Sequence, residues 1–338
     1  LILFFLFFRS YINAENLIIN LQKQEEIENK SETIQKCIRD LESDNPDTRH
    51  SAVLLLGKYK KSPLASSALV TALKDSNANV RRSALVSLVE DMFVPQDAVF
   101  PIIRMLSDED VHIRRITSSA MKTMNLLISR NIFIPNPNGG GGRFVSQPLP
   151  KDLIDVIEIA FADNDAVVRK NMITQYYNFK DQLPPDILLP LLDDKDTEIK
   201  LLAIENLIRG APTDQLREKL EKLTGDEDTR VRQKLAQTIK FLGNEAKMQT
   251  ILYKLLSDSA INVCGEALAG LLIYRKIDDI NKIREIIMNP ELDPEIGCQI
   301  VSFLPMMEKK ALPLLKQIAE EGQSSFRAQA LNSYLQSN

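Results

Sequence analysis

The residues with the clearest capacity for chemistry in this chain are acids and arginines that return together at a nearly constant interval. They stand out in four segments, KDSNANVRRSALVSL, SDEDVHIRRITSSAM, ADNDAVVRKNMITQY and GDEDTRVRQKLAQTI. A carboxylate and a guanidinium held in a fixed relation form a charge-assisted hydrogen bond that is often bidentate. The spacing therefore predicts ion pairing and helix capping rather than proton transfer or nucleophilic attack.

The basic position of this pattern defines nine copies, which follow one another at intervals of about 32 residues apart from one longer step. It is occupied by Arg49, Arg81, Arg114, Arg169, Lys200, Arg232, Cys264, Gly297 and Arg327. The residue six positions earlier is Ser43 in the first copy and an acid in the others, namely Asp75, Asp108, Asp163, Asp194, Asp226, Asp258, Glu291 and Glu321. Such a period is typical of helical solenoids.

Helix-start signals place two helices in each copy. Four residues before the basic position, seven of the nine copies carry Asn or Asp, which favour helix N-caps. Proline follows this cap in two copies, as Pro46 and Pro294, and proline is favoured at the first helical position. A second helix is therefore predicted to begin at this point in every copy, after a first helix that ends near the acid.

A helical wheel places the basic residue inside the apolar face of the second helix. In the second copy, Arg81 falls among Val80, Ala84 and Leu88. A buried arginine is costly unless it is paired and hydrogen-bonded, so the acid of its own copy or of the next copy is the expected partner. The predicted structural ladder consists of Asp75, Arg81, Asp108, Arg114, Asp163, Arg169, Asp194, Lys200, Asp226 and Arg232.

The pattern D-x-D-x-x-V-R-x-x-A-x-x-x-L, seen in DSNANVRRSALVSL and DEDTRVRQKLA, resembles the HEAT-like repeats typified by phycobilisome lyases. The resemblance extends over residues 27–338. It implies an all-α, right-handed α-solenoid of about nine helix pairs, with the second helices lining a concave face that binds other proteins. The sequence departs from the pattern at Cys264 and Gly297, where the ladder is expected to be interrupted.

The residue that follows the ladder position is basic or titratable in the first four copies. These residues are His50, Arg82, Arg115 and Lys170, and together they are called the cationic stripe. Because the wheel places them outside the apolar face, they are candidate contacts for an acidic partner, and complementary charge steers association. The alternative is an ordinary solvated face.

Residues 131–150, NIFIPNPNGGGGRFVSQPLP, account for the one long interval. No phosphate-loop signature follows the four glycines. The segment is predicted to be a loop, either flexible or binding, in which Phe133, Arg143 and Phe144 are the candidate contacts. It separates residues 15–130, with three copies, from residues 151–338, with six.

Glycines inside second helices raise a second open question. Gly265, Gly270 and Gly297 indicate either close helix packing or a shallow groove for a partner segment.

No catalytic or metal-binding constellation is recognised. The chain has two histidines, and its three cysteines form no metal signature, so neither a metal nor another cofactor is expected. Cys37, Cys264 and Cys298 are expected to be free and mostly buried thiols.

The first 14 residues, LILFFLFFRSYINA, resemble the hydrophobic region of a secretory signal and predict an exported protein. A truncated anchor is the alternative, because no initiator methionine precedes them. Without a signal sequence the protein would be cytoplasmic. No membrane span is expected in the mature chain.

The chain is predicted to be a non-enzymatic scaffold that binds a protein or peptide, with an acidic surface on that partner if the stripe binds it. An enzyme or enzyme subunit of the phycobilin lyase type is the main alternative, to which the repeats alone point. Nucleic-acid binding is disfavoured, because 46 acidic residues outnumber 42 basic ones.

Overall fold

A computed structural model describes residues 28–90, 94–128, 131–135, 142–146, 149–180, 183–184, 186–207, 213–242 and 246–337. The predicted signal sequence at residues 1–14 lies outside them. The packing divides the chain into two compact units, Leu1–Ala160 and Phe161–Asn338. The sequence-based division at residues 131–150 remains a prediction, since the packing divides the chain after Ala160.

The first unit is built from paired helices. Helix α1 covers residues 28–40, and it is followed by α2 (Pro46–Gly57), α3 (Pro63–Ala72) and α4 (Ala78–Val89). The third copy begins with a 3-10 turn, α5 (Val99–Arg104) and another 3-10 turn, and continues into α6 (Val111–Ile128). The second helices α2, α4 and α6 pack side by side in this order. Helix α7 (Lys151–Phe161) starts the fourth copy.

The second unit continues the same alternation. Its helices are α8 (Ala166–Phe179), α9 (Thr197–Asn206), α10 (Asp214–Leu223), α11 (Thr229–Ile239), α12 (Ala246–Leu255), α13 (Ile261–Ile273), α14 (Ile280–Ile287), α15 (Pro294–Phe303), α16 (Leu312–Glu321) and α17 (Ser324–Ser337). The second helices α8, α9, α11, α13, α15 and α17 each contact the next one in this series. The predicted all-α solenoid of repeated helix pairs is thereby confirmed.

Helix caps explain where seven of the nine second helices start. The side chains of Asn45, Asn77, Asp110, Asp165, Asp196, Asp228 and Asp293 each accept a hydrogen bond from a backbone N–H in the first turn of their helix. These side chains satisfy N–H groups that have no partner within the helix. Ala260 caps α13 without a side-chain bond, in a copy that also lacks the ladder arginine.

Two features of the fold differ from the expectations. The predicted loop at residues 131–150 contains an antiparallel hairpin of β1 (Asn131–Pro135) and β2 (Gly142–Ser146), in which Phe133 is opposite Phe144. The fifth copy has turns and a 3-10 segment, Pro190–Asp193, where a first α-helix was expected. Pro190 explains the second difference, because inside a helix proline removes an N–H donor and clashes with the preceding turn.

Across the residues that the structure describes, no helix combines the length and hydropathy needed to cross a bilayer.

Candidate partner-binding surface

The arginine ladder joins successive copies within each unit. In the first unit, Nε and Nη2 of Arg81 donate to the two carboxylate oxygens of Asp108, at 2.8 and 2.9 Å. Its Nη1 donates to the carbonyl of Asp75 in its own copy, at 2.9 Å. Asp108 also accepts a bond from the backbone N–H of Asp110. One guanidinium and one carboxylate therefore fix the connecting loops of two successive copies.

The same arrangement recurs in both units. The pairs are Arg49–Asp75 and Arg81–Asp108 in the first unit, and Arg169–Asp194, Lys200–Asp226 and Arg232–Asp258 in the second. Of the other predicted ladder residues, Arg114 donates to the carbonyl of Asp108, and Asp163 accepts a bond from the N–H of Asp165. Side chains in the five pairs are between 4% and 16% exposed, so the ladder is largely removed from water.

Pairing changes the titration of the ladder carboxylates. The hydrogen bond from Arg49 lowers the pKa of Asp75. Partial burial alone would raise the pKa of Asp194 and Asp258, but bonds from Arg169 and Arg232, together with backbone N–H groups, outweigh it and lower both. Carboxylates held ionised in this way are poor proton acceptors, which suits a structural role.

The ladder is interrupted at the seventh and eighth copies, and other contacts replace it. The Cys264 thiol lies 3.1 Å from the carbonyl of Asp258, at the position where an arginine would donate. The Asn262 side chain accepts a bond of 2.8 Å from the backbone N–H of Asp293. The Gln323 amide donates to the carbonyls of Asn289 and Leu292 in the preceding loop. These loops are joined by neutral hydrogen bonds.

A buried ionic contact that the sequence pattern did not predict lies nearby. Nζ of Lys240, just after α11, is 2.7 Å from Oε2 of Glu266 on α13 and 2.9 Å from Oε1 of Gln299 on α15. No recurring column marks these residues. The one signal was Glu266 itself, a lone acid in the otherwise apolar helix INVCGEALAGLLI.

The three helical glycines serve close packing. A Cβ at Gly265 would lie 2.7 Å from Ile296 and from Leu292, and one at Gly270 would lie 2.9 Å from Leu252. A Cβ at Gly297 would meet the ring of Phe326. Neighbouring side chains therefore occupy the space where a groove was considered.

The two buried cysteine thiols offer little reactivity. Cys37 and Cys264 are buried, and burial raises the pKa of each thiol. Since the thiolate is the reactive form, both are poor nucleophiles at neutral pH. Cys298 is half-buried.

Three members of the cationic stripe lie on successive second helices of the first unit, and we call His50, Arg82 and Arg115 the cationic row. His50 Nε2 is 2.8 Å from Ser83 Oγ on the next helix. Nη2 of Arg82 donates to Asn79 Oδ1 at 2.7 Å, and Arg115 is half-buried on α6. Lys170 is exposed and belongs to the second unit, so the row is considered without it.

A cavity of about 260 Å³ lies between the first turns of α2 and α4, and His50 and Arg82 both line it. Its other lining residues are Pro46, Asp47, Asn77 and Asn79. Helix N-termini carry partial positive charge and attract anions, which adds to the charge of Arg82. Asp47 is the one carboxylate in the lining.

Beyond the cavity, Asp110 at the start of α6 shows the influence of the row. Partial burial opposes its ionisation, but backbone N–H bonds from His112 and Ile113, with the charges of His112 and Arg82 nearby, lower its pKa. The start of α6 therefore holds this carboxyl in its ionised form.

The remaining candidates, Phe133, Arg143 and Phe144, lie on the hairpin. The register places Phe133 opposite Phe144 and Ile134 opposite Arg143. Their side chains are outside the described part of the structure, so their role in binding remains a prediction.

Comparison with known proteins identifies the fold. No family model matches the sequence, and no curated protein matches it. Kap121p has a TM-score of 0.53 and 13% identity, over 90% of this chain and 37% of its own. YibA from Escherichia coli has a TM-score of 0.51 and 17% identity, over 84% of this chain and 96% of its own.

The CpcE–CpcF complex of phycocyanin lyase from Nostoc matches at 16% identity, over 90% of this chain and 94% of the other, with a TM-score of only 0.27. At that score it carries no argument about function. The comparisons together support a HEAT-like repeat fold for this chain.

Proposed function

We propose that this protein is a non-enzymatic scaffold that binds an acidic segment of a partner protein along the cationic row. The single observation that carries the proposal is the cavity between α2 and α4, which is open to solvent and lined by His50 and Arg82. Its volume of about 260 Å³ can accept a carboxylate side chain rather than a large cofactor. The described acids of the arginine ladder are already engaged, so they do not compete for these cations.

The periodicity of the helices favours an extended or helical peptide over a small molecule. His50, Arg82 and Arg115 come from three successive helices, and packed helices lie about 8–10 Å apart. A partner that contacts all three must therefore present carboxylates over about 20 Å. Such contacts act on association rate and specificity more than on affinity.

The experiment is fluorescence anisotropy with a labelled peptide of ten glutamates, titrated with the full chain. Arg82→Glu with Arg115→Glu is expected to weaken binding at least tenfold, and added salt is expected to weaken binding by the wild type. Lys309→Glu is the matched control, because Lys309 is an exposed lysine of the second unit. No binding, or an equal loss in the control, would refute the proposal.

Thermal unfolding checks that the variants are folded, since Arg82 bonds only Asn79 on its own helix among the described contacts. A lyase activity would instead appear as an absorbance change when the protein is incubated with a bilin. Export rests on residues 1–14 alone, and the N-terminus of the protein isolated from its native cells would test it.

A further inference from the structure

An exposed aliphatic side chain lies beside each of the two residues of the cationic row that line the cavity. Five residues after the ladder position, α2 carries Leu54 and α4 carries Val86, which are 52% and 40% exposed. They come four residues after His50 and Arg82, so each shares a helix face with its cationic neighbour, about 6 Å away along the helix axis. We call Leu54 and Val86 the aliphatic row.

Comparison with the other copies shows that this exposure is specific to the first two. At the same position, the other seven second helices carry Ser119, Thr174, Glu205, Gln237, Ala269, Ser302 and Asn332. Six of these are polar, and Ala269 is fully buried. Single exposed aliphatic residues are common on protein surfaces. Here, however, two of them occupy equivalent positions on neighbouring helices, beside the same cavity.

Polar residues on the opposite side of the cationic row determine where a partner can lie. Asp47 is three residues before His50 and also lines the cavity, so it repels a partner carboxylate from that side. Asn79 is at the equivalent position on α4. From the start of each helix, the order is therefore an acid or an amide, then a cationic-row residue, then an aliphatic side chain. An acidic partner that also has apolar side chains can direct them only towards the aliphatic row.

We infer that the two rows together bind an amphipathic acidic helix, with its carboxylates on the cationic row and its aliphatic side chains on the aliphatic row. This inference rests on the proposed function and adds the chemistry of the partner. Residues seven apart in a helix are about 10.5 Å apart, close to the 8–10 Å between packed helices. Acids at i and i+7 can therefore reach His50 and Arg82, and leucines at i+4 and i+11 can contact Leu54 and Val86.

An extended segment matches this surface less well. Its side chains on one side repeat every two residues, or about 7 Å, so they fall out of step with the spacing of α2 and α4. Charge complementarity to Arg82 identifies the acidic stripe of the partner, and the exposed aliphatic row identifies the apolar stripe.

The experiment compares two labelled peptides of three heptads with the same content of Glu, Leu and Ala, by fluorescence anisotropy with the full chain. In the striped peptide, Glu and Leu occupy the positions given above, whereas in the scattered peptide the same leucines are distributed around the helix. The striped peptide is expected to bind about tenfold more tightly, because its leucines are buried against the aliphatic row. Leu54→Ser with Val86→Ser is expected to abolish this difference and to leave binding of the ten-glutamate peptide unchanged.

Leu64→Ser is the matched control, because Leu64 is 57% exposed on a first helix, α3. It should preserve the preference for the striped peptide. Thermal unfolding checks that the serine variants are folded.

Equal binding of the striped and scattered peptides would overturn the inference, as would a preference that survives Leu54→Ser with Val86→Ser. In both cases the ten-glutamate peptide still reports on the cationic row, so the proposed function would stand. If none of the three peptides bound, the proposed function would fail and the inference with it. Light scattering tests a second copy as the occupant: a dimer that Leu54→Ser with Val86→Ser dissociates would overturn the acidic helix as the partner.

Discussion

Lys240 and Glu266 form a buried ion pair whose side chains are 4% and 3% exposed, with Nζ and Oε2 2.7 Å apart. Gln299 takes a second hydrogen bond from the same ammonium. The contact joins the end of α11 to the middle of α13 and of α15, in the copies where the arginine ladder stops. A buried ionic link thus persists after the last ladder pair, Arg232–Asp258.

Lys240→Met should destabilise the second unit by about 3–5 kcal/mol, because Glu266 would remain buried without its partner. Urea unfolding followed by circular dichroism measures the change. The double variant Lys240→Met with Glu266→Leu should recover most of the loss, since replacing both charges by apolar groups is often neutral.

The matched control for this change is Lys254→Met. Lys254 pairs with Glu221 on the surface, where the two side chains are 48% and 53% exposed. Exposed pairs contribute about 0–1 kcal/mol. An equal loss of unfolding free energy in Lys240→Met and Lys254→Met would contradict a larger contribution from the buried pair.

Arg232→Ala tests the ladder itself. The substitution removes a bidentate bond to Asp258 and a bond to the carbonyl of Asp226. The free energy of unfolding should fall by about 1.5–3 kcal/mol, as expected when hydrogen bonds to charged groups are lost. Arg230→Ala, two residues away on the exposed side of the same helix, should change it far less. A wild-type melting temperature for Arg232→Ala would show that the ladder is not structural.

The repeat architecture could be predicted because its determinants are local and recur. The N-cap, the acid six residues before the basic position and the apolar column each appear in most copies, so errors in one copy are corrected by the others. The five observed ion pairs also follow the register read from the sequence. The pattern left open whether Arg81 would pair with the acid of its own copy or of the next. The structure shows that its carboxylate partner is Asp108 of the next copy, while Asp75 of its own copy accepts through its backbone carbonyl.

Structural features that occur only once could not be predicted from the repeat pattern. Lys240, Glu266 and Gln299 meet through packing across three helices, which no spacing in the chain reveals. The hairpin carried a local signal, because NIFIP and GRFVS are rich in strand-forming residues and flank a glycine run. That signal was missed because the segment was treated only as an excess over the repeat. Pro190, inside the expected first helix of the fifth copy, likewise overrides the helical pattern.

Acid should weaken the ladder in a defined pH range. The pKa values of Asp75, Asp194 and Asp258 are lower in the folded chain than in model peptides, where aspartate has a pKa of about 3.9. The unfolded state therefore binds more protons, so the stabilisation is complete well above pH 3.9 and is lost as the pH falls through the folded-state values.

Unfolding midpoints in urea between pH 6 and pH 2 would measure this loss. Asp258→Asn should make the decline shallower, because one depressed carboxyl is removed, although the variant is less stable at neutral pH. A stability that is flat down to pH 2 in the wild type would contradict the assignment.

Gly297→Ala tests whether the eighth copy, which has no ladder cation, packs closely against Phe326 of the ninth copy. A Cβ at this position would lie 2.7 Å from Cδ1 of Phe326, whose side chain is fully buried and cannot move aside. Overpacking of this kind costs about 1–3 kcal/mol, which exceeds the gain of about 1 kcal/mol expected from alanine in a helix.

At Gly225, by contrast, the nearest atom would be the carbonyl oxygen of Lys222 at 3.7 Å, so Gly225→Ala should be tolerated. Phe326→Leu combined with Gly297→Ala should cost less than the sum of the two single changes, because the smaller side chain leaves room for the methyl group. Strict additivity in urea unfolding would mean that Gly297 is not held against Phe326.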